Sequence, residues 1–217
     1  MNDHFYHIYS RSIAKYVVFN NEIEYGRMLN LIDLYRFKDF DYRFSKFLSL
    51  QQNTRQSIIS DVRKSNNCAV DVIAYCVMPT HFHFVLKQKI NNGITEYIGR
   101  VLNSYSKFFN IRHNRSGPLW TGPFMNVLIK NDEQLIHLTR YIHLNPTSAG
   151  IVKTPEDWAF SSYREYVNEK KTDNIICNTK NLFETSCEEY KNFVNDQKAY
   201  QRELSQIKSL MIDNYSG

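Results

Sequence analysis

The chain has 217 residues, 42% of them hydrophobic, with only seven glycines and five prolines and a net charge of +5. That is apolar material for one substantial folded domain and argues against a fibrous or disordered chain. No apolar run approaches the roughly 18 residues of a membrane span, and no G-x-x-x-x-G-K-[ST] or G-x-G-x-x-G occurs, so no motif for ATP or a dinucleotide is present.

The start, "MNDHFYHIYSRS", lacks the basic, apolar and small-residue segments of a signal peptide, which makes the cytoplasm, in association with the nucleoid, the expected location. Cys68, Cys76, Cys177 and Cys187 form no C-x-x-C pair and read as free thiols. A pI near 8.9 is compatible with a polyanionic partner without requiring one.

In chain order, "FYHIYSR" reads as a strand and "NNEIEYGRMLNLIDLYRF" as a helix begun by Asn20 or Asn21. Residues 38–67 are polar with scattered aromatics and read as a helical connection. "VDVIAYCVM" and "HFHFVLK", separated by Pro79-Thr80, form an expected antiparallel hairpin. Ile94, Ile98, Leu102, Tyr105 and Phe109 mark an amphipathic helix over 94–113, with Tyr105 and Phe109 expected in the core. "FMNVLIK" is a further strand, followed by a helix that Asn131 or Asp132 caps and Pro146 helps to end. "PEDWAFSSYREYV" reads as a short helix packed back on the domain. The polar stretch 168–180 divides a domain at 1–167 from a helical extension at 168–217 that contains Leu182, Phe183, Tyr190 and Phe193. The expected class is α+β, a mainly antiparallel sheet with helices on it.

In "PTHFHFVL", side chains two apart on a strand share a face, with Cα atoms about 6 to 7 Å apart, so His81 and His83 project together while Phe82 and Phe84 project oppositely. Two imidazoles so placed can share one metal ion, or can simply belong to a partly polar strand. In "HLTRYIHLNP", Tyr141 and Asn145 lie four apart on one helix face. Asn145 offers an oxygen ligand and Tyr141 a nucleophile; equally, tyrosine is a common packing residue and Asn before Pro a common helix end.

"YCVMPTHFHFVL", "GPLWTGPF", "LTRYIHLNPTSAGIV" and "DWAFSSYREY" resemble, in order and spacing, the single-tyrosine HUH transposases, the IS200-like family, and in particular their REP-associated tyrosine transposase branch. The resemblance runs from about residue 4 to residue 167. It implies that His81 and His83 are metal ligands, Asn145 a third ligand and Tyr141 the nucleophile. It also implies a ferredoxin-like (RRM-like) sheet, Mg²⁺ or Mn²⁺ as cofactor, and single-stranded, hairpin-forming DNA as substrate. The reaction it implies leaves a 5′-phosphotyrosine link and a free 3′-OH. Pro123 and Ser12 stand where many relatives have a basic residue and a glycine.

A tyrosine is only about one-thousandth ionised at neutral pH, a handicap of roughly 4 kcal/mol that a divalent ion on the scissile phosphate can help offset. For DNA contacts, the basic residues between 87 and 130 are interleaved with aromatics, a mixture suited to backbone phosphates and unpaired bases. Arg112 and Arg115 are the main phosphate candidates, with Arg11, Lys107, Trp120 and Lys130 beside them. No membrane or nucleotide cofactor is expected, and a homodimer stays open. The alternatives are a non-catalytic module that binds single-stranded nucleic acid on the same fold, and a zinc hydrolase using His81 and His83 with His137 or His143. His143 sits about 200° around the helix from Tyr141 and should point away from the ion.

Overall fold

The computed structural model describes residues 1–168, 175–179 and 185–196. Among them, β1 (Phe5–Arg11), β2 (Val70–Met78), β3 (His81–Gln88) and β4 (Met125–Leu128) form one antiparallel sheet in the order β2-β3-β1-β4. The helices are α1 (Glu22–Leu34), α2 (Phe44–Leu48), α3 (Gln52–Ser65), α4 (Gly93–Arg112), α5 (Asp132–Ser148), α6 (Tyr163–Val167) and α7 (Cys187–Asn195). With α2 and α3 set aside as part of the α1–β2 connection, the chain runs β-α-β-β-α-β through β4. The protein is thus α+β, an antiparallel sheet flanked by helices.

Both faces of the sheet are covered, which is why β2 reads as an unbroken apolar run. A register shift between Val72 and Ala74 exchanges the faces of β2 partway along. Val70 and Val72 before it, and Tyr75 and Val77 after it, join Ile8, Phe82 and Phe84 in a core shared with Met28, Leu31, Ile98 and Tyr105 of α1 and α4. On the other face Ala74, Cys76, Met78 and Val85 pack against Leu135, Tyr141 and Ile142 of α5. Each large apolar side chain buried in these layers contributes roughly 1.5–3 kcal/mol. The Pro79-Thr80 turn is anchored from outside: Pro79 O accepts from Val18 N and Phe19 N, and Thr80 O from Ser12 N. That fixes where β3, and therefore His81, begins.

Two expectations are corrected. Pro146 does not end its helix, since α5 continues to Ser148. A proline removes only its own N–H, and within the last turn few further bonds depend on it. Segment 155–167 is not one helix but a 3₁₀ turn, Pro155–Asp157, followed after a gap by α6. The gap exists because β2 is an edge strand: Val77 N donates to Phe160 O, Ser162 N to Tyr75 O and Trp158 Nε1 to Val77 O. Residues 158–162 thereby satisfy backbone groups that would otherwise form an open edge.

Beyond residue 168, Ile176 N and Cys177 N donate to the Glu165 carboxylate and Asn178 N to Val72 O. Tyr190 and Val194 of α7 are buried in the larger core. Leu182 and Phe183 lie outside the described residues. All four cysteines are free, and among the described residues no helix is long and apolar enough to cross a membrane.

Candidate active site

The antiparallel register places Arg11 opposite His81, Tyr9 opposite His83 and His7 opposite Val85. Because side chains alternate along each strand, His7, Tyr9, Arg11, His81 and His83 all stand on the α5 face of the sheet. The His81 and His83 rings are 5.2 Å apart and nearly perpendicular, at 85°. Thr80 Oγ1 lies 3.0 Å from His81 Nδ1, and His7 Nε2 lies 3.0 Å from His83 Nδ1. His7 is fully buried, and burial pushes its pKa down to about 3, so its ring is neutral at physiological pH.

A cleft of about 390 Å³ opens here, walled by His7, Tyr9, Arg11, Lys15, His81 and His83. The loop that closes one side carries Ala14 and Lys15 with φ of 49° and 55°, a left-handed conformation that costs non-glycine residues energy and recurs at ligand sites.

Tyr141 reaches the histidines from α5, a helix begun by Asn131, whose side chain accepts from Gln134 N. Its ring meets His83 edge-on at 5.5 Å between centroids. The side chain is only 2% exposed, packed with Cys76, Met78, Val85 and Ile142, and is not on the wall of the cleft. Asn145, one turn further along, is 3% exposed, and its Nδ2 has no hydrogen-bond partner among the described residues. The structure therefore brings His81, His83 and Tyr141 into one chain of ring contacts and sets Asn145 on the same helix, while keeping Tyr141 and Asn145 off the open cleft.

His143 faces elsewhere. Its ring nitrogens lie 2.8 Å from Tyr190 Oη and 2.7 Å from Ser162 Oγ, and burial pushes its pKa down to about 3. His137 is engaged by Arg140. Among the described residues no cluster of three His, Cys, Asp or Glu side chains could hold a metal, which leaves the zinc-hydrolase alternative without its third ligand.

Two perpendicular imidazoles at 5.2 Å suit one ion held at roughly 2.0–2.1 Å from each. The contacts to Thr80 and His7 engage both Nδ1 atoms, so an ion would be held through Nε2. Such contacts orient metal-binding histidines. The residues present thus fit a divalent ion with most of its coordination open to oxygen ligands.

The DNA candidates separate. Arg11 lines the cleft. Arg112 pairs with Glu24 at 3.5 Å, and Lys107 lies with Arg112 in a second groove on the far side of the sheet. Arg115 braces its own loop by donating to Asn110 Oδ1 and Pro118 O. Lys130 is exposed just before α5. Trp120 is corrected to a core residue: it is 9% exposed, donates to Ser106 Oγ and packs on Phe82, because the side of α4 it meets is the side that faces the sheet. Tyr105 and Phe109 are buried, as expected.

His7 and Tyr9 are additional site residues. Their signal is the alternation in "HIYSR", which puts both on the face of Arg11; what the sequence lacks is the register that sets β1 beside β3.

Residues 40–145 match the family described as Transposase IS200 like. A REP-associated tyrosine transposase of Haemophilus influenzae is 25% identical over 109 residues, covering 45% of this chain and 61% of that protein. One of Escherichia coli K12 is 25% identical over 125 residues, covering 58% of this chain and 72% of the relative. The match therefore spans less than two thirds of the Haemophilus relative's length. A solved REP-associated tyrosine transposase bound to a REP hairpin superposes with a TM-score of 0.50 and 15% identity, over 82% of this chain and 93% of the other, a likeness of fold. The ordered motifs, the matched region and the fold agree: over residues 40–145 the chain is similar to the IS200-like transposase family.

Proposed function

We propose that the protein is a transposase that cuts and rejoins single-stranded DNA beside a hairpin, with Tyr141 as nucleophile. The observation that carries this reading is the chain of edge-on ring contacts on one sheet face, His81 to His83 and His83 to Tyr141. The phenol oxygen of Tyr141 attacks the phosphorus, the bond to the 3′-oxygen breaks, and the proton given up by the phenol is balanced by one taken up at the 3′-OH. One phosphodiester replaces another, so no ATP is needed. His81, His83 and Asn145 would hold Mg²⁺ or Mn²⁺, which when bound stabilises charge on the phosphate oxygens. Arg11 and Lys15 on the cleft wall supply fixed positive charge for the same phosphate. For attack, the Tyr141 hydroxyl has to reach the cleft, on whose wall it does not stand in this conformation.

The burial of Tyr141 at 2% exposure favours a second reading, a module that binds single strands without cutting them. Incubation with labelled hairpin-bearing single strands and Mn²⁺ separates the two. The enzyme gives a denaturant-resistant protein–DNA adduct that disappears in Tyr141→Phe and persists in Tyr9→Phe. An adduct undiminished in Tyr141→Phe removes the assignment, and chelator-insensitive binding with no adduct establishes the second reading.

A further inference from the structure

We infer that the outer surface of the α1, α2 and α4 layer carries a separate groove for single-stranded DNA, centred on Arg27. This groove, of about 710 Å³, is lined by Arg27, Arg43, Arg100, Lys107 and Arg112 against a single carboxylate, Asp41. It shares no residue with the histidine cleft. The two lie on opposite sides of the sheet, since α1 and α4 cover the Phe82 face and α5 the other.

Arg27 is the unusual member. Its guanidinium carbon lies over the rings of Phe44, at 4.7 Å, and Phe108, at 4.4 Å. Among the described residues no carboxylate pairs with it. A guanidinium held against two aromatic rings keeps its N–H groups in the planar fork that matches two phosphate oxygens. Arg100 and Arg112 are partly committed, to Phe40 O and to Glu24, but Arg43 and Lys107 are exposed and make no ion pair among the described residues. Beside these cations Tyr42 is 39% exposed and Phe108 half-buried in the groove wall.

Alternating cations and accessible rings are what a single strand uses, phosphates on the one and bases on the other. A duplex keeps its bases stacked inward and offers Tyr42 nothing. An acidic peptide would engage the arginines and leave the rings idle. That the strand is DNA rests on the function proposed above; the fit to a single strand does not. A strand held here would be a segment flanking the cleaved bond.

The test uses the full chain with Tyr141→Phe, so that cutting does not compete, and a fluorescent oligothymidine of about 12 nucleotides followed by anisotropy over a salt series. Arg43→Glu with Lys107→Glu, both at exposed positions, should weaken binding at least tenfold and flatten the salt dependence by roughly 0.7 per lost phosphate contact. Tyr42→Ala should weaken binding about tenfold with the salt slope unchanged. Unchanged affinity and slope in the double variant overturn the groove, as does displacement of the strand by duplex DNA or polyglutamate as readily as by unlabelled oligothymidine. A protein that forms no covalent adduct yet shows these losses keeps the groove and loses the enzyme. One that forms the adduct while the double variant binds normally does the reverse.

Discussion

His7 Nε2 lies 3.0 Å from His83 Nδ1, inside the protein, on neighbouring strands of one sheet. His7 is neutral, its pKa pushed down to about 3 by burial, so it can hold His83 by a hydrogen bond without adding positive charge beside a metal site. Groups that orient a ligating histidine in this way typically account for 10- to 100-fold in metal affinity. Replacing His7 by Ala should weaken Mn²⁺ binding by about that factor in calorimetric titration, with part recovered in His7→Gln. A loss of thermal stability with unchanged Mn²⁺ affinity would reduce His7 to a packing residue.

Metal dependence can be read without any DNA. An ion that binds only the folded chain raises its unfolding free energy, by about 2.7 kcal/mol when present at 100 times its dissociation constant. Mn²⁺ should therefore raise the melting temperature of the native chain, and EDTA should reverse the rise. In His81→Ala and His83→Ala the rise should vanish. Equal shifts in native and variant chains would place the ion elsewhere.

Much of this layout is legible in the sequence, for reasons that differ by element. The strand "HFHFVLK" alternates with a period of two, and that alone aims His81 and His83 in one direction. Pro79-Thr80 between two apolar runs specifies the hairpin, 3.6-residue spacing specifies the helix at 94–113, and the cap at Asn131 or Asp132 marks the start of the helix that bears Tyr141, though not its end. What stays hidden depends on contacts between distant segments. His7 meets His83 only because β1 inserts beside β3, a pairing across 76 residues. Trp120 sits in a basic, aromatic stretch whose composition suits a DNA surface and a core equally well; the side of α4 it meets decides between them. The depth of Tyr141 depends on how closely α5 packs on Cys76, Met78 and Val85, which no local pattern encodes.

Glu24 couples the start of α1 to the end of α4. Its buried carboxylate accepts from Asn20 N at 2.7 Å and Asn20 Nδ2 at 2.9 Å, and faces His113 Nε2 at 2.6 Å. Burial pushes its pKa up, but the bonds from Asn20 and His113 outweigh that and leave it below the ordinary 4.5. The unfolded chain therefore binds the proton more readily, so this stabilisation is present above pH 4.5 and is lost as pH falls through the depressed folded value. In urea titrations Glu24→Gln should lose roughly 1–3 kcal/mol at neutral pH and show a shallower decline on acidification than the native chain. Parallel pH profiles would mean that the carboxylate contributes nothing through its charge.

The helix that bears Tyr141 is held from behind by α7. Tyr190 Oη donates to Thr139 Oγ1 at 3.0 Å and lies 2.8 Å from His143 Nδ1, whose other nitrogen is 2.7 Å from Ser162 Oγ. All four residues are buried, so a missing partner is not replaced by water and costs about 1–3 kcal/mol. Tyr190→Phe should destabilise by that amount, a fall of roughly 2–4 °C in Tm for each kcal/mol in a chain of this size. His143→Leu should cost a similar amount for the same reason. Combining the two removes both ends of the bond and leaves no stranded donor or acceptor between them, so the double variant should be less destabilised than the sum of the singles. Strict additivity in that cycle would show that Tyr190 and His143 stabilise α5 through separate contacts and not through the hydrogen bond that joins them.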